Sequence, residues 1–206
     1  MKGSADNRDT DKAALRATVL AARRTLSPAD LAAAAAAIRS HALAALIPPP
    51  TVALYASTGT EPGTHPLLAA WHEAGVRILL PALRADLALD WSVYAGPDSL
   101  VPGPRGTLEP AGPRRDPDAL GEAGLVPVPG LAADRRGHRL GRGGGSYDRA
   151  LRLAHPEARI AVVLHAGEIV DAVPVSGHDA DVHAVLSPAG FELVGPVQRP
   201  VGGEAM

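Results

Sequence analysis

Residues 137–149 read Gly-His-Arg-Leu-Gly-Arg-Gly-Gly-Gly-Ser-Tyr-Asp-Arg. Glycines lack Cβ atoms, so a backbone rich in them can adopt left-handed conformations and approach a ligand closely. The exposed N–H groups of such a loop, with Arg139 and Arg142 beside them, suit a polyanion such as a triphosphate. Asp148 follows at a position where a carboxylate can bind the accompanying Mg²⁺. The stretch therefore predicts a phosphate-binding loop.

The segments on either side of this loop decide between a folded site and a linker. Stretches rich in Gly and Arg also occur as disordered linkers, and composition alone leaves both interpretations open. Upstream, residues 125–129 (Leu-Val-Pro-Val-Pro) are typical of a buried strand, and residues 147–153 downstream have helical character. A glycine loop between a strand and a helix is a phosphate-site arrangement. It is not a P-loop, because it lacks a Gly-Lys-Ser/Thr ending, and its glycine spacing also argues against a dinucleotide-dependent oxidoreductase.

Residues 139–149 resemble the signature of the 5-formyltetrahydrofolate cyclo-ligase family, also called methenyltetrahydrofolate synthetases. The usual pattern of that family is Arg-Leu-Gly-x-Gly-x-Gly-(Tyr/Phe)-Tyr-Asp, and this chain departs from it at Ser146, where the family has an aromatic residue. The resemblance runs from about residue 12 to 187. Its other segments are Lys12-x-x-x-Arg16, Tyr55-Ala56-Ser57 leading to Glu61, and Pro174-x-x-x-His178-Asp179.

The resemblance implies an ATP- and Mg²⁺-dependent enzyme that converts 5-formyltetrahydrofolate into 5,10-methenyltetrahydrofolate. In the family, ATP phosphorylates the formyl oxygen, a neighbouring nitrogen attacks the activated carbon, and phosphate leaves. Phosphoryl transfer asks a protein mainly for positioning and charge neutralisation. We therefore expect ATP as co-substrate and Mg²⁺ as cofactor. The alternative is a non-catalytic nucleotide or folate binder that has lost turnover, for which Ser146 is the sequence support.

The resemblance also implies roles for the loop and for the first helix. Arg139, Arg142 and Tyr147 are the expected catalytic residues. Lys12 and Arg16 project from nearly the same face of a predicted helix and are expected to reach the ATP phosphates. Without the resemblance, these two residues are part of a solvated basic face. The expected nucleotide-binding residues are Lys12, Arg16, Arg139, Leu140, Gly141, Arg142, Gly143, Gly144, Gly145, Ser146 and Tyr147.

Metal ligands and folate contacts follow from the same resemblance. Asp148 is the first candidate for Mg²⁺ and Asp179 the second, because Mg²⁺ keeps several waters and takes only one or two carboxylates. Otherwise Asp148 is an N-cap or first-turn acid, Asp179 a loop acid and Glu61 a surface acid. His178 and His183 invite a metal site, which we reject because histidine is a poor Mg²⁺ ligand. The expected folate-binding residues are Ala56, Ser57, Glu61 and Tyr147, with the carboxylate of Glu61 accepting from pterin N–H groups.

Composition restricts the class of protein. The chain of 206 residues suffices for a well-filled core, and 46% of it is hydrophobic, as in ordinary globular proteins. A net charge of −2 gives no general attraction to nucleic acid or to an anionic membrane. The absence of cysteine excludes disulfides, thiolate metal sites and a cysteine nucleophile. Since there is neither a membrane-length apolar run nor a secretory signal, we expect a cytoplasmic monomer whose partners are small molecules.

Alternating strands and helices predict an α/β fold. A strand–helix–strand unit over residues 51–80 predicts a parallel strand pair. The whole pattern favours a single three-layer α/β/α domain with a mainly parallel sheet and ligands at the carboxyl ends of its strands. Residues 1–9 are expected to be disordered, 10–194 to form the domain and 195–206 to be a loose tail. Helices are predicted at 10–24, 27–46 and 64–74, strands at 51–57, 76–80, 89–94, 125–129, 159–165 and 181–186, and an irregular segment at 95–123.

Overall fold

A computed structural model describes residues 3–175 and 179–195, with side chains from residue 9 onward. Its helices are α1 (Gly3–Arg23), α2 (Pro28–Ala45), α3 (His65–Glu73) and α4 (Ser146–Ala150). Its strands are β1 (Thr51–Ala53), β2 (Arg77–Leu83), β3 (Leu89–Val93), β4 (Leu100–Pro102), β5 (Leu108–Pro110), β6 (Leu125–Pro129), β7 (Ala132–Asp134), β8 (Arg139–Leu140), β9 (Arg159–Val163), β10 (Ile169–Val170), β11 (Ala184–Ser187) and β12 (Gly190–Leu193). Short 3₁₀ helices lie at Pro97–Ser99, Pro104–Gly106, Pro117–Glu122 and Leu151–Leu153.

The centre of the fold is a seven-stranded sheet with the order β12-β11-β9-β6-β1-β2-β3. Its five inner strands run parallel, and β3 and β12 pair antiparallel at the two edges. Strands β1 and β2 pair in parallel with Thr51 opposite Arg77, which confirms the pair predicted for residues 51–80. The sheet is therefore mainly parallel, as the sequence predicted.

Helical segments cover both faces of this sheet. On one face α2 and α3 pack with Ile38, Leu68 and Trp71 against the sheet, and all three side chains are buried. On the other face lie the 3₁₀ helix around Leu120 and the segment around Leu151 that continues α4. Because each face of a sheet must be buried against another element, the result is the expected three-layer α/β/α arrangement.

The strand order has a switch point between β1 and β6. From β1 the chain continues outward to β2 and β3, whereas from β6 it continues to β9, β11 and β12 on the other side. In open α/β sheets the crevice at the carboxyl ends of two such strands is where ligands bind. The topology therefore predicts a binding site between the segments that follow Ala53 and Pro129.

Local signals set the ends of α2 as predicted. The Oγ of Ser27 accepts from the amide of Asp30 at 3.2 Å, and the Asp30 carboxylate accepts from the Ser27 amide at 3.0 Å. This reciprocal pair satisfies two donors that the helix itself leaves unpaired. The helix ends at Ala45, just before the Pro48-Pro49-Pro50 run, which cannot continue a helix.

The sequence predicted that the glycine loop follows the central strand β6 directly, and this prediction is wrong. Between them the chain forms the β7–β8 hairpin of a second, three-stranded sheet with the order β10-β7-β8. The carboxylate of Asp134 accepts from the amides of Arg136 and His138, and Gly137 has a φ of 92°, so the chain turns back at this point. Helix α1 covers this sheet with Val19 against Leu140.

Helix α1 begins at Gly3, so the prediction of disorder over residues 1–9 is wrong from Gly3 onward. The physical reason is that helix formation is cooperative, so a helix formed over residues 10–23 extends toward its amino end at little cost. Of the predicted tail, residues 196–206 lie outside the described part, as does His178. No helix among residues 3–175 and 179–195 is both long and apolar enough to span a membrane.

Candidate active site

The glycine loop borders a cavity of about 410 Å³ at the switch point of the sheet. Gly143 has a φ of 100° and Gly145 a φ of 65°, a left-handed region that side chains disfavour. Within the described chain, the amide groups of residues 141–145 donate to no backbone or side-chain acceptor. A run of unpaired N–H groups on a concave loop is a binding site for an anion.

Arg139 lies buried at the base of the loop, where it links the loop to the end of β6 and to α4. Its Nη2 donates to Oδ1 of Asp148 at 2.6 Å, and its Nη1 donates to the carbonyl oxygen of Pro129 at 3.2 Å. Its Nε is buried and has no partner among the described residues. The guanidinium therefore keeps hydrogen-bonding capacity beside the cavity, which suits a residue that binds an anionic ligand.

The two predicted metal ligands lie next to each other. Oδ1 of Asp148 is 3.4 Å from the amide of Ala180, the residue that follows Asp179. Oδ2 of Asp148 accepts no hydrogen bond from the described residues. The side chain therefore turns toward Arg139 and the 179–180 segment, and it does not cap its own helix.

The donor set fits a Mg²⁺ ion that also takes ligand oxygens from a phosphate. In the described part of the chain, no three His, Cys, Asp or Glu side chains group closely enough to hold a metal ion by themselves. Mg²⁺ commonly uses one or two carboxylates and completes its shell with phosphate oxygens and water. His183 lies apart from this arrangement, because its Nδ1 accepts from the amide of Ile160 at 3.1 Å. Burial lowers the pKa of His183, and its role is structural.

Lys12 and Arg16 of helix α1 face the protein and not the solvent. The Nζ of Lys12, a buried residue, lies 2.6 Å from Oδ2 of Asp179. The Nε of Arg16 donates to the carbonyl oxygen of Gly141 at 2.9 Å. The solvated basic face is thus excluded for both residues. Arg16 reaches the back of the glycine loop and Lys12 reaches Asp179, and neither lines the cavity itself.

A buried ion pair on the same helix was missed by sequence reasoning. Arg23 donates from Nε and Nη2 to the two carboxylate oxygens of Glu168, each at 2.7 Å. Its Nη2 also donates to the carbonyl oxygen of Gly130, directly after β6, at 2.7 Å. The amide of His165 donates to Glu168 at 2.7 Å, and the ring of His165 reaches the carbonyl oxygen of Thr60. The only signal in the sequence was that Arg23 lies eleven residues after Lys12 and so on nearly the same helix face. Its partner Glu168 is 145 residues away and could not be predicted.

Glu61, in the segment after β1, lines the same cavity as the glycine loop. Its side chain is only 14% exposed, which excludes a surface acid. Its carboxylate accepts from the amide of Thr58 at 2.9 Å and lies 3.4 Å from the Nη2 of Arg142. Glu61 therefore faces the glycine loop across the cavity, with one of its acceptor sites fixed by its own loop.

Tyr147 brings a buried donor into the same cavity. Its hydroxyl oxygen is buried without a partner among the described residues. Burial raises the pKa of the Tyr147 hydroxyl, and the negative charge of Glu61 raises it further. The hydroxyl therefore stays protonated at neutral pH and is available to donate a hydrogen bond.

Not every predicted residue contacts the cavity. Ala56 and Ser146 line it, whereas Ser57 is buried beside β1, where its Oγ accepts from the amide of Thr64 at 3.0 Å. Ser57 thus positions the start of α3, and it is not among the residues that line the cavity. The side chain of Leu140 packs with Val19 in the core under α1, so only its backbone belongs to the loop.

The wall opposite the glycine loop was not predicted. It comes from the β2–β3 hairpin, from β5 and from the turn before β5, which lie far apart in sequence. A weak signal was present for one part, because Gly106-Thr107-Leu108-Glu109-Pro110 resembles a segment near the folate site of the family named above. The wall residues missed by sequence reasoning are Pro81, Leu83, Leu87 and Leu89.

Comparison with known proteins places this site in a family. The sequence profile of the 5-formyltetrahydrofolate cyclo-ligase family matches residues 8–188. The chain belongs to this family. It is 38% identical over 182 residues to the 5-formyltetrahydrofolate cyclo-ligase of Mycolicibacterium smegmatis, with 86% of this chain and 93% of the relative covered. It is 33% identical over 142 residues to the enzyme of that name from Escherichia coli K12, with 68% and 78% covered. Membership makes the chain an enzyme of a ligase family, which confirms the resemblance found in the sequence.

Solved structures show the same fold. The NMR structure of the Aquifex aeolicus 5,10-methenyltetrahydrofolate synthetase superposes with a TM-score of 0.74 at 24% identity and covers 94% of this chain and 97% of that one. The Mycoplasma pneumoniae 5,10-methenyltetrahydrofolate synthetase gives a TM-score of 0.69 at 19% identity, with 86% and 99% covered. At these identities the likeness concerns the fold, and it confirms the predicted α/β class.

Proposed function

We propose that this protein converts 5-formyltetrahydrofolate and ATP into 5,10-methenyltetrahydrofolate, ADP and phosphate. The observation that carries the proposal is a single cavity with two chemically different ends. One end has the unpaired amides of residues 141–145 and the guanidinium of Arg139, and the other has the mostly buried carboxylate of Glu61. A polyanion suits the first end, and a heterocycle rich in N–H donors suits the second.

The proposed reaction joins these two ends. The formyl oxygen attacks the γ-phosphorus of ATP, and the bond from that phosphorus to the β–γ bridging oxygen breaks, so that ADP leaves. N10 of the folate then attacks the activated formyl carbon and loses its proton, and the carbon–oxygen bond breaks to release phosphate. Because the transferred group carries spread-out negative charge, positioning and charge neutralisation supply most of the catalysis.

Each residue then has a physical role. Arg139 and Arg142 offset negative charge on the transferred phosphoryl group, and the amides of residues 141–145 hold the phosphates. The carboxylate of Glu61 accepts from the pterin and sets its orientation. The buried hydroxyl of Tyr147 donates toward the reacting end of the folate, where its missing hydrogen-bond partner would lie.

Helix α1 and the 179–180 segment complete the nucleotide side. Arg16 supports the loop from behind, Lys12 pairs with Asp179, and both would bring positive charge toward the phosphates. Asp148 and Asp179 would hold Mg²⁺, which when bound with ATP neutralises phosphate charge and orients the γ-phosphate. The donor set supports this assignment, since both carboxylates lie beside the loop and Oδ2 of Asp148 accepts nothing in the described chain.

The test is an assay with 5-formyltetrahydrofolate, ATP and Mg²⁺ that follows the near-ultraviolet absorbance of methenyltetrahydrofolate. Product that requires both ATP and Mg²⁺, and that is lost in Asp148→Ala, supports the proposal. Asp171→Ala is the matched control, since Asp171 is an exposed acid away from the cavity lining, and its rate should equal that of the wild type. No product, with ATP still raising the melting temperature, would instead favour the non-catalytic binder.

A further inference from the structure

The turn between β2 and β3 has an unusual backbone for its sequence. Leu87 adopts a φ of 64°, a left-handed conformation that L side chains disfavour and that glycine adopts freely. The turn is closed by the Arg84 amide, which donates to the carbonyl oxygen of Ala88 at 2.9 Å, and by the Leu87 amide, which donates to that of Arg84 at 3.0 Å. Hairpins with a left-handed residue at this position usually place glycine there. A leucine at this position strains the backbone, so its side chain should have a role that glycine cannot fill.

That side chain faces the cavity. Leu87 lines it together with Leu83 and Leu89 from the two strands of the hairpin. In the part of the chain that the structure describes, Arg105 is the other residue besides glycine with a positive φ, at 56°, and it lines the same cavity. Strain at both positions is thus concentrated on one wall. Such strain is retained where a fixed side-chain position is needed for function.

Arg149 ties this wall to the glycine loop. Its Nη2 donates to the carbonyl oxygen of Leu87 at 2.7 Å, and its Nη1 lies 3.5 Å from the carbonyl oxygen of Gly144. The two acceptors belong to two different segments that line the cavity, and Arg149 itself does not line it. Its side chain therefore bridges the loop and the strained turn from outside.

We infer that Leu87 is a substrate-contacting residue that determines affinity for the folate, and that Arg149 is the positioning residue that holds it against the cavity. The inference rests on the proposed function. Leu83, Leu87 and Leu89 give an apolar surface to the cavity that Glu61 also lines, and a flat ring system whose polar edge meets a carboxylate presents its apolar face to such a wall. Apolar side chains do not neutralise phosphate charge, so we expect this wall to affect folate and not nucleotide affinity.

The decisive variant is Leu87→Gly, because strain and substrate contact then predict opposite changes. Glycine relieves the strained backbone, so the melting temperature should stay the same or rise. Removal of the apolar contact should raise KM for 5-formyltetrahydrofolate about tenfold, with KM for ATP within about twofold of the wild type. Leu87→Met keeps an apolar side chain and should keep the folate KM near its wild-type value. An unchanged folate KM in Leu87→Gly overturns the inference.

The positioning role is tested on Arg149 with a control from the same segment. Arg149→Met should raise the folate KM about threefold with kcat nearly unchanged, and Arg149→Lys should restore part of the loss. Arg152→Met is the matched control, because Arg152 is an exposed arginine one turn further on with no hydrogen bond to the described residues. If Arg149→Met and Arg152→Met have the same folate KM, the positioning role is refuted.

Direct titration with 5-formyltetrahydrofolate separates failure of this inference from failure of the proposed function. Turnover by the wild type with no change of KM in Leu87→Gly refutes the inference alone. If the wild type binds the folate without turnover, the proposed activity fails, and the ratio of the two Kd values decides the inference by the same tenfold expectation. If the wild type binds no folate, both are refuted.

Discussion

Two arginine–carboxylate pairs at the carboxyl end of β6 differ in how many of their polar atoms have hydrogen-bond partners. In the pair of Arg23 and Glu168 both carboxylate oxygens accept from the guanidinium, and the side chains are 2% and 9% exposed. The carbonyl oxygen of Gly130 also accepts from Arg23, and the amide of His165 also donates to Glu168. In the pair of Arg139 and Asp148 one oxygen accepts, the carboxylate is 29% exposed and Nε of the arginine has no described partner. The first pair holds the scaffold, and the second keeps capacity for a ligand.

The largest effect on stability should come from breaking the saturated pair. Arg23→Met leaves the charge of Glu168 buried without its partner, and we expect a loss of about 3–5 kcal/mol in the free energy of unfolding. Urea denaturation of the wild type and the variant measures this difference. A loss below about 1 kcal/mol would show that the pair does not hold the scaffold.

The double variant Arg23→Met/Glu168→Leu is the control. Removing both charges from a buried pair often leaves stability nearly unchanged, so the double variant should be more stable than the single one. If the double variant loses as much stability as Arg23→Met and Glu168→Leu together, the loss comes from packing and not from the unpaired charge.

Breaking the unsaturated pair should affect rate more than stability. Arg139→Met removes a cation from the phosphate end of the cavity, and we expect kcat to fall about 10²–10³-fold. The melting temperature should change much less than in Arg23→Met, because water can solvate the exposed part of Asp148. The assay described above, together with thermal unfolding, checks both quantities. An Arg139→Met enzyme of unchanged rate would contradict the division between the two pairs.

Asp134 extends the comparison to pH, because it is another saturated acid of the scaffold. Burial by itself raises the pKa of its carboxyl group, but hydrogen bonds from Val173 and His138 outweigh burial and lower the pKa to about 2. A pKa below that of the unfolded chain means that the native state is stabilised above about pH 4 and loses that contribution as the pH falls from about 4 to 2. The shift corresponds to about 2 kcal/mol.

Unfolding free energies of the wild type and Asp134→Asn between pH 2 and 7 measure this contribution. The gap between the two proteins should be about 2 kcal/mol at pH 7 and should close toward pH 2. A gap that does not depend on pH would assign the effect to side-chain shape and not to charge.

The smallest effect concerns Ser146, which lines the cavity where the family has an aromatic residue. Ser146→Tyr restores a flat face toward the ligands, and we expect the substrate KM to fall by about twofold to tenfold. Steady-state kinetics with each substrate varied in turn measures it. An unchanged KM for both substrates would show that Tyr147 supplies the needed contact alone.

The elements that sequence reasoning predicted well are those whose signals are local. Ser27 caps α2 through an acid three residues away, and the alternation of strand and helix over residues 51–80 produces the parallel pair β1–β2. The glycine loop could be proposed as a ligand-binding loop because its residue types carry the chemistry within one short stretch, and the structure places it beside a cavity. The positions of Glu61 and Asp148 beside the cavity followed from the family resemblance laid over these elements.

Tertiary structure alone decided what connects distant segments. The partner of Arg23 lies 145 residues away, and the partner of Arg149 lies 62 residues before it. The second sheet, which separates β6 from the glycine loop, and the strained turn at Leu87 likewise have no local pattern that states their neighbours. The physical reason is that propensity and turn chemistry act over a few residues, whereas burial and charge pairing depend on which surfaces the folded chain brings together.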